Sequence, residues 1–69
     1  MSILNAFGSR IRFLRKAKGL SQEELAHLAD VHRTYIGMIE RGEKNITLLN
    51  ISRLAKALKT KIPELFGDL

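Results

Sequence analysis

Apolar residues recur every three to four positions along most of the chain, with polar residues filling the gaps. Ile3, Phe7, Ile11 and Leu14 form a first stripe, the spacing of one helix face. Gly19 closes that segment, so the pattern predicts a helix from about Asn5 to Lys18. Leu25, Leu28 and Ala29 mark a second stripe, Ile36 and Ile39 a third, and Asp30-Val31-His32 breaks the pattern between them. A fourth stripe runs through Leu48, Ile51, Leu54, Ala55 and Leu58. Leu65 and Phe66 follow Pro63 and precede Gly67. Proline suits a first helical turn, so this is a short fifth helix. No strand alternation, internal repeat or low-complexity segment interrupts the series. The pattern predicts one all-α domain over residues 1–69, a compact five-helix bundle.

Polar positions set the boundaries. Ser21 with Glu24 makes a capping box, and Leu20 with Leu25 a hydrophobic staple. Gly42 ends the third helix, because glycine enters the left-handed cap conformation cheaply. Val31 and Ile36 repeat the staple spacing, which makes His32 the third helix's cap, although histidine caps poorly. Glu43–Ile46 reads as a short polar loop. Thr47 caps the fourth helix, with Ile46 and Ile51 as another staple. Gly8 lies inside the first helix, where it costs roughly 1 kcal/mol against alanine. Close packing of another backbone would explain it.

Ser21–Gly42 is therefore two short helices joined by a tight turn. Spacing alone fits a plain αα-hairpin. It also fits a helix-turn-helix, whose second helix lies in the DNA major groove. Residue types favour the latter. Arg33, Thr34, Tyr35, Gly37 and Met38 lie off the apolar stripe, and no acid occupies the third helix's first turn. Arg33 can bond guanine O6 and N7 together; its plainer roles are a phosphate contact or a solvated side chain. Thr34 can bond a base edge or touch a thymine methyl. Met38 offers apolar contact, or fills a gap between helices. Tyr35 can reach the nucleic acid or pack at the core edge. Gly37 leaves room for close approach, or sits unremarked at an exposed site.

Charge agrees with that destination. Twelve Lys and Arg against seven Asp and Glu leave a net +5, which favours polyanions. Arg10, Arg12, Arg15, Lys16 and Lys18 make the first helix the most basic element. They contact phosphate, pair with acids or face water. Phe13, off the stripe among them, covers a satellite cluster or touches a partner. A chain of 69 residues without cysteine has a marginal core and no disulfide to staple it. Helix packing or self-association must supply the difference. No apolar run approaches the ~20 residues of a membrane span, and the amino terminus is not a signal peptide. The expected location is cytoplasmic, at the nucleoid.

Enzyme chemistry finds no foothold. His27 and His32 are the two histidines; they share no helix face, and no carboxylate or thiol cluster completes a metal site. The serines have no His–acid pattern beside them. Glu23 and Glu24 suit a helix amino end better than acid–base catalysis. No Gly-rich phosphate loop occurs. No cofactor, metal or small-molecule ligand is expected.

Beyond these local signals, GLSQEELA, then V-x-R-x-Y-I-x-x-IERG, then LAKAL and ELF resemble the Cro/C1-type (Xre-like) helix-turn-helix repressors. The resemblance runs from about Phe7 to Phe66 and implies a lambda-repressor-like DNA-binding domain. HRTYIGMIERGEKNITLLNI is most similar to the controller proteins of restriction–modification systems, which are short dimeric regulators. The resemblance implies that Gln22 anchors the sugar-phosphate backbone and that Arg33, Thr34 and Met38 face bases. It implies that Arg41, Lys44 and Asn45 grip phosphate, and that Arg15 and Glu40 form a partly buried ion pair. Two positions depart from the family. Asp30 stands where the turn usually has glycine, and Asp tolerates the left-handed conformation. His32 replaces the usual Ser or Thr, which bears on its cap strength and its phosphate contact.

The expected function is sequence-specific regulation of transcription by a homodimer on a pseudo-palindromic operator. One recognition helix reads too few base pairs to single out a genomic site. Leu49, off the fourth stripe, with Ile46, Leu65 and Phe66, is the expected dimer surface. A DNA-binding antitoxin and a protein-interaction adaptor are the alternatives on the same fold.

Overall fold

The computed structural model describes residues 2–69. Five helices follow in order: α1 (Ile3–Ala17), α2 (Gln22–Ala29), α3 (Arg33–Glu40), α4 (Leu48–Ala57) and α5 (Ile62–Phe66). There is no strand among the described residues. Side chains open the first four. Ser2 Oγ accepts the Asn5 N–H, which starts α1 at Ile3 rather than Asn5. The capping box of Ser21 and Glu24 is fully formed. Thr47 Oγ1 accepts the Asn50 N–H at the start of α4.

Four helices close in one way. Gly19, Asp30, Gly42 and Lys59 take φ of +70°, +58°, +74° and +55°. Each donates its N–H to the carbonyl three residues back, to Lys16, His27, Ile39 and Lys56 in turn. The following residue donates five back, as Leu20 does to Arg15 and Thr60 to Ala55. This is the Schellman closure. The sequence flags the two glycines and Asp30; it does not flag Lys59.

Phe7 and Ile11 of α1, Leu25, Ala26 and Ala29 of α2, and Ile36 and Ile39 of α3 meet at the centre. Leu54, Ala55 and Leu58, on α4 and at its end, and Leu65 of α5 complete the core. α3 packs on α1 and α2, α4 on α2, and α5 on α1 and α4. Gly8 is buried where α1 crosses α3. A Cβ there would collide with the carbonyl oxygens of Ile39 and Glu40, so the two backbones touch only because this residue has no side chain.

Three stripe residues lie outside the core. Ile3, Leu28 and Leu48 are 67%, 55% and 76% exposed. α2 turns its inward face between Leu25 and Ala26, which rotates Leu28 outward. Ile3 and Leu48 belong to first turns that run past the packed layer. Phe13 is also exposed and lies beneath the Arg10 guanidinium, 5.5 Å from the ring centre. Arg10 Nε donates to the Glu64 carbonyl, which ties α5 to α1.

Candidate nucleic-acid interface

The turn between α2 and α3 fixes how the second helix is presented. Asp30 enters the left-handed region at φ 58°, ψ 46°, and the chain extends through His32 before α3 begins. His32 Nδ1 accepts the Thr34 N–H at 3.1 Å. The side chain therefore caps its own helix as the Nε2–H tautomer, and Nε2–H still points a donor outward.

At the other end of α3, away from this turn, lies one shared carboxylate. Arg15 Nε and Nη2 donate to the two oxygens of Glu40 at 2.7 and 3.1 Å, and Gln22 Nε2 donates to Glu40 Oε1 at 3.1 Å. Arg15 Nη1 also donates to the Leu20 carbonyl at 2.8 Å. The Arg15 and Glu40 side chains are nearly buried. The network joins α1, the α1–α2 turn, the start of α2 and the end of α3. It holds Gln22 by one amide hydrogen and so fixes where the side chain lies.

The start of α2 and the outer side of α3 enclose a shallow concavity that includes Gln22, Glu23, Arg33, Thr34 and Arg41. Arg33 and Thr34 are exposed there. Arg33 Nη1 donates to Glu23 Oε2 at 2.8 Å, with both side chains largely in solvent. Arg41 makes a two-pronged pair with Glu43, Nε to Oε2 at 2.9 Å and Nη2 to Oε1 at 3.2 Å. The hydrogen bond to Glu43, then its charge, raises the Arg41 pKa. The same hydrogen bond holds the Glu43 carboxyl below its ordinary value. Both groups are exposed, so the pair is screened by solvent.

Some expected residues sit elsewhere. Gly37 is buried rather than exposed, because Arg41 and Gln22 fold over it. Tyr35 is half-buried against the core, and its hydroxyl accepts from Asn50 Nδ2 at 3.0 Å. Its ring thus lies between the exposed side of α3 and the core. Met38 is half-buried, and Lys44 and Asn45 are exposed in the loop after α3. Asn45 borders a different surface, an apolar depression formed with Ile3, Leu4, Ile46, Ile51 and Phe66. Leu65 cannot belong to a dimer surface: it is 0% exposed within the single chain. Phe66 leans on Phe7 with ring centres 5.0 Å apart, which leaves one edge at the depression. Leu49 is exposed. The engagement of Arg33 by Glu23 had no sequence signal, since the residues lie ten apart across a turn.

The helix-turn-helix family model matches residues 11–65. The chain belongs to this helix-turn-helix family. This helix-turn-helix chain is 46% identical over 65 residues to control protein C.SmaI of Serratia marcescens, covering 94% of itself and 77% of that protein. Control protein C.BamHI of Bacillus amyloliquefaciens is 51% identical over 53 residues, which span 75% of this chain and 65% of the relative. Among solved structures, the restriction–modification controller protein C.AhdI from Aeromonas hydrophila superposes with a TM-score of 0.90. It is 54% identical, with 91% of this chain and 96% of that one covered.

Proposed function

We propose that this helix-turn-helix protein is a sequence-specific DNA-binding regulator of transcription, acting as a homodimer on a pseudo-palindromic operator within a restriction–modification system. The likeness to control proteins along nearly the whole chain carries this reading. The exposed start of α3 supports it physically. Arg33, Thr34 and Met38 read base edges, with Tyr35 at the margin of the same face. Gln22, His32, Arg41, Lys44 and Asn45 hold phosphates, and Arg41 exchanges Glu43 for phosphate as it binds. The double-stranded partner and the work at the nucleoid follow from that role. No helix among the described residues is long and apolar enough to cross a membrane.

Selection of duplexes from a random pool, followed by sequencing, tests the reading. The expected product is an inverted repeat with half-sites about 34 Å apart. Binding should weaken steeply with salt. Recovery of no sequence, or binding indifferent to salt, rejects it.

A further inference from the structure

Glu23 supplies the one carboxylate among the side chains lining the concavity between α2 and α3. It is an unfavourable charge on a face that meets phosphate, and it neutralises the arginine best placed to read a base. Its own stabilising value is small, since an exposed pair in water contributes little. Its position near the start of α2 suits the helix dipole. Glu24, beside it, already serves that end and closes the capping box. Neither role requires Glu23 to reach across to α3.

The bond itself suggests the reason. Glu23 takes Arg33 by Nη1. That leaves the guanidinium edge formed by Nε–H and Nη2–H free, two parallel donors of the kind guanine O6 and N7 accept. An untethered arginine in this first turn would find a phosphate on any sequence. A tethered one gives up that bond to do so, whereas it can meet guanine through its free edge with the bond intact; the bond is weak in water, and the difference acts as a bias toward the base rather than a barrier to phosphate.

We propose that Glu23 is a specificity-determining positioning residue, which holds Arg33 away from phosphate and presents its Nε–Nη2 edge to guanine. The proposal rests on the DNA-binding reading above. Its test uses the duplex selected by the wild-type protein and a scrambled duplex of equal length and composition. Glu23→Gln keeps the shape and removes the charge. It should bind the scrambled duplex roughly 3- to 10-fold more tightly, with a log–log salt slope steeper by about 1 per protomer. Binding to the selected duplex should gain less, so discrimination falls. Renewed selection with Glu23→Gln should relax the base pairs that Arg33→Ala relaxes. Added to Arg33→Ala, the same change should lose most of its effect. Thermal melting should be unaltered, because the pair is exposed. Equal gains on both duplexes, or an undiminished gain in the Arg33→Ala background, mean simple repulsion by Glu23 and overturn the proposal. Wild type that binds no duplex overturns the DNA-binding reading and this one with it. Discrimination that is present in wild type and unchanged in Glu23→Gln overturns this one alone.

Discussion

Glu40 accepts three N–H bonds while its side chain is 4% exposed. Charges withdrawn from water this far are tolerated only when each lone pair is met. Removing one partner is therefore worse than removing both. Glu40→Ala leaves the Arg15 guanidinium nearly buried with the Leu20 carbonyl as its remaining partner, and stability should fall by about 3 kcal/mol. Arg15→Met combined with Glu40→Leu should recover much of that loss, since a packed apolar pair of similar volume avoids the desolvation cost. Chemical denaturation of the singles and the double measures the coupling; small additive effects would mean that the pair is not structural. Gln22 should follow its anchor. The partners Arg15 and Glu40 lie 25 residues apart, a distance that no periodicity or spacing rule bridges, and only likeness to a family suggested them.

Individual helices carry their own signals, and those signals are local chemistry. The Ser21 backbone N–H donates to Glu24 Oε1 at 2.8 Å. That bond, helped by the Ser21 hydroxyl, holds the Glu24 carboxyl below its ordinary pKa. A carboxyl depressed in the folded state adds stability above its unfolded-state value, and that contribution disappears as pH falls through the folded-state value. Glu24→Gln retains the acceptor without the charge. Its melting temperature should lie below wild type at neutral pH and converge with it in acid; parallel curves would sink the assignment. At the far end of α4, Lys59 occupies the left-handed region at φ +55°, where a side chain costs roughly 1–2 kcal/mol. Lys59→Gly should stabilise the protein by about 1 kcal/mol, after the greater freedom of glycine in the unfolded chain is set against the relief. An unchanged or lower denaturation midpoint would show that Lys59 is unstrained. Gly19 and Gly42 do the same work without strain, which is why the pattern exposed those two ends and hid this one.

At the scale of the whole molecule, the core is small and the apolar surface left over is large. Ile3, Leu48 and Leu49 are all exposed, and Ile3 borders the depression that Ile46 and Phe66 also line. A surface of this kind on a short chain favours self-association. Two-fold pairing would also set two recognition helices about one turn of DNA apart. Leu49→Glu should give a folded monomer with sharply weaker operator binding. Sedimentation at micromolar concentration checks it: a monomeric wild type, or a mutant that remains dimeric, removes Leu49 from the interface. Leu65 plays no part in that prediction, because it is sealed inside the protomer.

Helix count and order, and most helix ends, were legible along the sequence, because each depends on neighbours within about five residues. A capping box, a staple and a left-handed closure all act over that range. The exposure of Arg33 and Thr34 was legible for the same reason, since an amphipathic helix declares its unburied start, whereas Tyr35, Gly37 and Met38 on the same expected face are partly or wholly covered. Tertiary packing decided the rest. Which way α2 rolls determined that Ala26 is inside and Leu28 outside, and periodicity allows either. How far the core extends determined that Ile3 and Leu48 lie beyond it. The juxtaposition of α2 with α3 determined that Glu23 holds Arg33 and that Gly37 is covered by Arg41 and Gln22. These are contacts between helix faces, and a linear pattern fixes the faces without fixing their angles or their partners.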